Sequence, residues 1–162
     1  LAQALYRQAI DIYIKKLGRH HPFVAGSLFG LGSVREHQGE TEEAETLYRE
    51  SIELLRENGA VQHRVLGLAL TGLAALRASQ GAFTTAESLI HEALPILEQA
   101  YPAGHWRIAE AESILARCFV GLERFEVAKP LLIRSHSILA STPGLSAGIR
   151  AQEALDHLAQ LD

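Results

Sequence analysis

Residues 38–55 read QGETEEAETLYRESIELL, and this stretch predicts a sharp turn followed by one amphipathic helix. Gly39 suits the end of a preceding helix, because glycine tolerates the positive φ found there. Thr41 suits a helix start, and Glu42 and Glu43 follow it in the first turn, where the helix dipole favours negative charge. The small and apolar residues recur every three or four positions and so share one face. They are Ala44, Leu47, Tyr48, Ser51, Ile52 and Leu55.

This pattern recurs every 42 residues along the chain. Leu5-Tyr6-Arg7 returns as Leu47-Tyr48-Arg49, which is 42 positions later. Other positions keep the same period in a register that runs on without an insertion. They are Ala44, Ala86 and Ala128; His21, His63 and His105; and Leu31, Leu73 and Leu115.

Each unit predicts two helices, because a second apolar stripe precedes Gly39, along 22–38. The fold class is therefore an all-α superhelix, a solenoid of about eight antiparallel helices forming a single domain over 1–162. Its predicted parts are a second helix at about 2–17, helix pairs at about 22–57, 62–100 and 105–140, and a C-terminal capping helix at about 145–160. Since the chain opens inside a unit and contains no Met, we expect it to be a piece of a longer protein.

Composition limits the classes of protein. Apolar residues make up 48% of the 162 residues and the formal net charge is −4, which fits a globular domain and disfavours bulk binding of nucleic acid or anionic membrane. No apolar run approaches the ~20 residues of a membrane-spanning helix. The single cysteine, Cys118, cannot form an internal disulfide, which favours a reducing compartment, and we expect a cytoplasmic location.

The two-helix units resemble the tetratricopeptide repeat (TPR), in the 42-residue form of kinesin light chains. A Leu-Gly/Ala step in the first helix carries this resemblance, at Leu31-Gly32, Leu73-Ala74 and Leu115-Ala116. The stretches at 17–25 and 38–55 are similar to the kinesin-light-chain subtype. The resemblance covers essentially the whole chain.

The resemblance implies that the first helices line a concave groove where protein or peptide partners bind. Carried over by register, the groove would be lined by Gly26, Phe29, Ser33, Glu36, His37, Leu68, Thr71, Ala75, Glu110, Ser113 and Arg117. Phe29 could be an aromatic anchor for a partner or could pack against a neighbouring helix. Arg117 could meet an acidic partner residue, pair with Glu110, or be solvated. Kinesin-light-chain repeats have an Asn pair where this chain has Phe29-Gly30, Thr71-Gly72 and Ser113-Ile114, so a carboxylate clamp of that kind is not expected.

Nothing in the residue pattern indicates catalysis, a cofactor or a metal. His21, His63 and His105 lie one repeat apart, too far from one another to share an ion, and each precedes a first helix whose backbone its ring can bond. Cys118 stands where other units have Val34 and Leu76, so we expect an inert core residue. Glycines 26, 30 and 32 lack the preceding strand of a nucleotide fingerprint, and they suggest close packing or room for a ligand backbone.

The sequence thus predicts a non-enzymatic interaction scaffold that binds a peptide or protein surface in its groove. One alternative is a regulatory or sensor segment of a larger enzyme, such as a serine/threonine kinase or a protease, acting in cis. Self-association through an uncapped N-terminal edge is a further possibility.

Overall fold

The computed structural model describes residues 1–61 and 63–142, and these form seven α-helices without a strand. The helices are α1 (Ala2–Leu17), α2 (Pro22–His37), α3 (Thr41–Glu57), α4 (Arg64–Ser79), α5 (Phe83–Ala100), α6 (Trp106–Gly121) and α7 (Phe125–Ser141). The predicted all-α superhelix is confirmed, with seven helices in the described part. The helix predicted at 145–160 lies outside the described residues. We call α2, α4 and α6 the A helices, and α1, α3, α5 and α7 the B helices.

A histidine caps the start of every A helix. The Nδ1 atoms of His21, His63 and His105 accept the backbone N–H two residues later, at 3.2, 3.3 and 3.1 Å. Each bond satisfies one of the N–H groups that a helix start leaves free. This confirms that the periodic histidines bond the helix-end backbone.

The turn from each A helix to its B helix uses a left-handed residue. Gly39 and Gly81 have φ of 79° and 77°, and the equivalent Glu123 has φ of 58°. Such a φ costs a residue with a Cβ more than it costs glycine. The turn between α6 and α7 therefore has the same shape as the other two, but the Glu123 backbone is strained in it.

Helices contact one another only within a repeat or between adjacent repeats of the described chain. The alanines at the start of the B helices, Ala44, Ala86 and Ala128, are fully buried, which lets the backbones approach closely. Tyr48 inserts its ring between two A helices. A Cβ on Gly32 or Gly72 would lie 2.8 or 2.7 Å from that ring.

Ion pairs link successive B helices on their exposed sides. Arg56 Nη2 lies 2.7 Å from Glu92, and Arg124 Nη1 lies 2.8 Å from Glu87. Partly exposed pairs of this kind contribute little each.

The third pair contains a buried carboxylate. Glu112 is 6% exposed and stands where the earlier repeats have Leu28 and Leu70. Its carboxylate accepts two hydrogen bonds from Arg134 of α7, one of them from Nε at 3.0 Å. Burial raises the pKa of Glu112, and the Arg134 guanidinium opposes that rise.

Candidate binding groove

The A helices lie side by side, and residues one repeat apart are neighbours across them. Arg117 of α6 donates from Nη2 to the backbone oxygen of Ala75 in α4, at 3.2 Å. A Cβ on Gly26 of α2 would lie 3.9 Å from Val65 Cγ2 of α4. Helix α4 therefore lies beside both α2 and α6, and the equivalent positions Ala75 and Arg117 are neighbours.

Most of the predicted groove residues are half-buried, as expected for the floor of an open surface. This set contains Gly26, Phe29, Ser33, Glu36, Leu68, Ala75, Glu110, Ser113 and Arg117, while His37 is exposed. We call these ten residues the groove face.

Thr71 differs from the expectation, because it is only 4% exposed. Its hydroxyl donates to the Gly67 backbone oxygen of the preceding turn, at 2.8 Å. A threonine that bonds back to its own helix in a buried position offers little to a ligand. We therefore leave Thr71 out of the groove face.

Phe29 packs against a neighbouring helix and also remains partly accessible. Its ring centroid lies 5.9 Å from that of Tyr48, within the usual range for aromatic pairs. Packing against a neighbouring helix is thus observed for Phe29, and its use as an anchor for a partner stays a prediction.

The charged residues of the groove face are engaged with the protein itself. Arg117 donates to a backbone oxygen, and Glu110 accepts from Arg107 Nη1 at 3.0 Å. Glu110 thus pairs with Arg107, one turn earlier in α6, while Arg117, for which pairing with Glu110 was one of three alternatives, bonds to Ala75. The groove face therefore combines internally bonded charges with small and apolar residues.

Sequence reasoning missed the part that Tyr48 plays here. It treated Tyr48 as a bulky core residue, but the phenol reaches past Gly32 and donates to Glu36 Oε2 at 2.6 Å. Burial and the Glu36 carboxylate both raise the pKa of Tyr48, so the phenol stays protonated at neutral pH. The sequence feature that could have indicated this contact is the pair Gly32 and Gly72, which leave room for the Tyr48 ring between two A helices.

The glycines that suggested close packing or ligand room separate into two kinds. Gly30 sits against the ring of Tyr6, where a Cβ would clash with the aromatic atoms. Gly26 has only Val65 near the position of a Cβ, so it leaves space on the groove face.

The described residues provide no chemical centre of the kinds considered from the sequence. No group of three or more His, Cys, Asp or Glu side chains could hold a metal within residues 1–61 and 63–142. Cys118 is fully buried, and burial raises the pKa of its thiol to about 11. A thiol in that setting is not a nucleophile at neutral pH.

Comparison with known proteins decides the fold family. Residues 1–57 match the sequence profile of the tetratricopeptide repeat. Kinesin-light-chain TPR-like repeats of Podospora anserina are 20% identical, with a TM-score of 0.66 over 98% of this chain and 83% of theirs. BtubC (BKLC) of P. vanneervenii is 18% identical, with a TM-score of 0.73 over 99% of this chain and 71% of that one. The chain has a TPR fold.

A TPR-like protein of Chlorobium tepidum matches end to end, with 17% identity and a TM-score of 0.68 over 99% of both chains. These likenesses confirm the TPR resemblance drawn from the repeat pattern. No curated protein sequence matches this TPR chain. Among the helices of the described part, none combines the length and apolarity needed to cross a membrane.

Proposed function

We propose that this TPR chain is a scaffold that binds a peptide or protein segment along the groove face. The observation that carries the proposal is the hydrogen bond from Arg117 of α6 to the Ala75 backbone oxygen of α4, which places equivalent positions of two A helices side by side. A face shared by neighbouring A helices can hold a ligand several residues long. TPR repeats generally bind proteins or peptides, and the match to this repeat and to TPR-like folds supports a role in protein interaction.

The chemistry of the groove face favours a ligand with small or apolar anchors. Ser33, Ala75 and Ser113 are small, half-buried residues, which allow a ligand to approach the A-helix backbone closely. Phe29 offers the accessible part of an aromatic ring, and aromatic residues are frequent in binding hot spots. Both an extended and a helical ligand segment fit this description.

A matched pair of tryptophan variants tests the proposal. A library of 12-residue peptides displayed on phage provides the probes, and selected peptides are measured by fluorescence anisotropy. Ser113→Trp fills the groove face and should weaken selected peptides about tenfold or more. Ser88→Trp makes the same change at an exposed position of α5 and should leave their affinity unchanged. Equal affinity of both variants would contradict groove binding.

The regulatory alternative, in which the ligand belongs to the same polypeptide, stays a prediction. It would use the same groove face, so the Ser113→Trp variant also serves in that setting. In a longer protein that carries an enzyme domain, the enzyme's activity would be measured with each variant. If Ser113→Trp abolished the regulation of that activity and Ser88→Trp did not, the ligand of the groove face would lie in the same polypeptide.

A further inference from the structure

Asn58 is the only asparagine of the chain, and Gly59 follows it in the connection between α3 and α4. Both residues are exposed. An asparagine that precedes a glycine is especially prone to deamidation, because glycine has no side chain to hinder attack by its backbone nitrogen on the asparagine amide. The sequence therefore offers this reaction at one position, on an accessible connection.

The side-chain amide of Asn58 ties two connections of the fold together. Its Nδ2 atom donates to the backbone oxygen of Leu54, in the last turn of α3, at 2.7 Å. The same atom donates to the backbone oxygen of His20, which lies 38 positions earlier, between α1 and α2. Both bonds need a donor at position 58, so a carboxylate there could not make them.

The folded backbone holds the reacting atoms apart. The ψ of Asn58 is 1°, which places the Gly59 nitrogen beside the backbone nitrogen of Asn58 and away from its side chain. The Gly59 N–H also donates to the Arg56 backbone oxygen at 3.0 Å. Deamidation in the folded chain therefore requires this connection to open locally, and exposed connections open more readily than the core does.

We propose that Asn58 is a modification site, at which deamidation releases the connection between α3 and α4 from the connection between α1 and α2. Hydroxide removes the Gly59 N–H proton, the nitrogen forms a bond to Asn58 Cγ, and the Cγ–Nδ2 bond breaks. Ammonia leaves with a proton taken from water. Water then opens the succinimide ring at either of its carbonyl carbons and gives aspartate or isoaspartate, so water is the only co-reactant.

The product cannot rebuild the tie. The carboxylate of an aspartate would face the backbone oxygens of His20 and Leu54 without a proton to donate, and acceptors that face one another leave both sides unsatisfied. An isoaspartate would also lengthen the main chain by one methylene. The reaction is therefore a one-way loosening of the contact between the two connections.

Peptide mapping tests the reaction itself. Trypsin cuts after Arg56 and Arg64, so Asn58 is recovered in the peptide 57–64, ENGAVQHR. The whole folded chain and the same synthetic peptide are incubated together at pH 8.5, and their acid forms are resolved by chromatography and mass spectrometry. We expect both to convert, with the folded chain at least about fivefold slower because it must open first. Asn58→Gln is the control and should stay unconverted, since its side chain would have to close a larger ring.

An aspartate variant tests what the product does. Asn58→Asp should lower the midpoint of urea unfolding and speed amide hydrogen exchange over residues 18–21 about threefold or more, because two hydrogen bonds are lost. Gln38→Glu makes the same change from amide to carboxylate at the end of α2. Gln38 accepts there from Arg35 Nη1 at 3.2 Å, and a carboxylate keeps that bond. This control should therefore retain the parent values.

Three results would overturn the proposal. The first is the absence of an acid form of 57–64 in the folded chain while the free peptide converts. The second is equal rates in the chain and the peptide, which would mean that the hydrogen bonds of this connection do not govern the reaction. The third is equal unfolding midpoints and exchange rates for Asn58→Asp and Gln38→Glu. Because Asn58 is not part of the groove face, these results are independent of the phage-derived peptides.

Discussion

Tyr48 and Gly72 balance side-chain volume between two neighbouring repeats. The ring is 1% exposed and fills the space that a side chain on Gly72 would need. The sequence keeps this balance at each repeat, 24 positions apart. The pairs are Tyr6 with Gly30, Tyr48 with Gly72, and Ile90 with Ile114. Where the ring is absent, the glycine is absent too, so these positions share a packing role.

Gly72→Ala should lower the free energy of unfolding by about 1–3 kcal/mol, because the new methyl overpacks the Tyr48 ring. Gly26→Ala is the matched control. Its nearest neighbour would lie at an ordinary 3.9 Å, so the higher helix propensity of alanine should raise stability by up to about 1 kcal/mol. Urea unfolding followed by circular dichroism measures both. Adding Tyr48→Leu should reduce the cost of Gly72→Ala, and two additive changes would contradict the volume argument.

The third helix pair begins its B helix from a strained turn. Glu123 takes the left-handed conformation that Gly39 and Gly81 supply in the other pairs. Because Gly39, Gly81 and Glu123 occupy equivalent turns, the comparison isolates the cost of a Cβ at positive φ. A substitution that relieves this strain in the turn between α6 and α7 should therefore raise the free energy of unfolding.

Glu123→Gly should raise the free energy of unfolding by about 0.5–1 kcal/mol, since relief of the left-handed strain exceeds the added chain entropy of glycine. The reverse change, Gly81→Glu, should lower it by a similar amount. Thermal unfolding compares the two variants with the parent chain. A Glu123→Gly variant less stable than the parent would show that the Glu123 side chain makes a contact worth more than the strain.

Helix α4 starts on a cap that depends on protonation. His63 Nδ1 must be unprotonated to accept the Val65 N–H. Burial lowers the pKa of His63 in the folded chain, and the Arg64 charge lowers it further. The unfolded chain therefore binds the proton more readily. The stability from this group is present above the ordinary pKa of 6.5 and is lost as the pH falls through the folded value.

His63→Ser keeps a capping side chain that does not titrate in this range. We expect the loss of stability between pH 7.5 and pH 5 to be smaller in His63→Ser than in the parent chain. Urea unfolding at a series of pH values across this range measures the difference. Gln38→Ser, at an exposed helix end, is the control and should keep the full loss. An unchanged pH profile in His63→Ser would exclude this histidine from the acid response.

At the scale of the whole molecule, stability is distributed along a line of repeats. The described helices contact only those of the same or the adjacent repeat, so one end can open while the other stays folded. Leu70 in α4 and Leu132 in α7 are both fully buried, but they lie at different distances from the end of the described stack.

Leu132→Ala should raise amide hydrogen exchange in α6 and α7 while leaving the protection of α2 and α3 nearly unchanged. Leu70→Ala should lower protection in all three A helices, because it weakens the middle of the stack. Each change removes the same side chain and costs about 2–5 kcal/mol locally. Equal loss of protection in α2 for both variants would show that the stack unfolds as one cooperative unit.

The 42-residue register made most of the fold predictable from sequence. Helix type, the A/B order and the histidine caps follow from local patterns, because spacing and helix-end chemistry act over a few residues. The contact between the equivalent positions Ala75 and Arg117 was predictable for the same reason, since stacked repeats bring such positions together. The burial of Thr71 could not be predicted in this way, because the packing of the neighbouring A helices decides how much of each side chain stays exposed.

The sequence by itself determined the repeat, its two helices and the surfaces on which charges and apolar residues collect. Only the tertiary structure decided that the Tyr48 phenol reaches Glu36, that Arg117 bonds to Ala75, and that Glu112 is matched by Arg134. The physical reason is distance along the chain. These contacts join residues 12 to 42 positions apart, and which atoms meet depends on how the repeats stack rather than on the periodicity of any single helix.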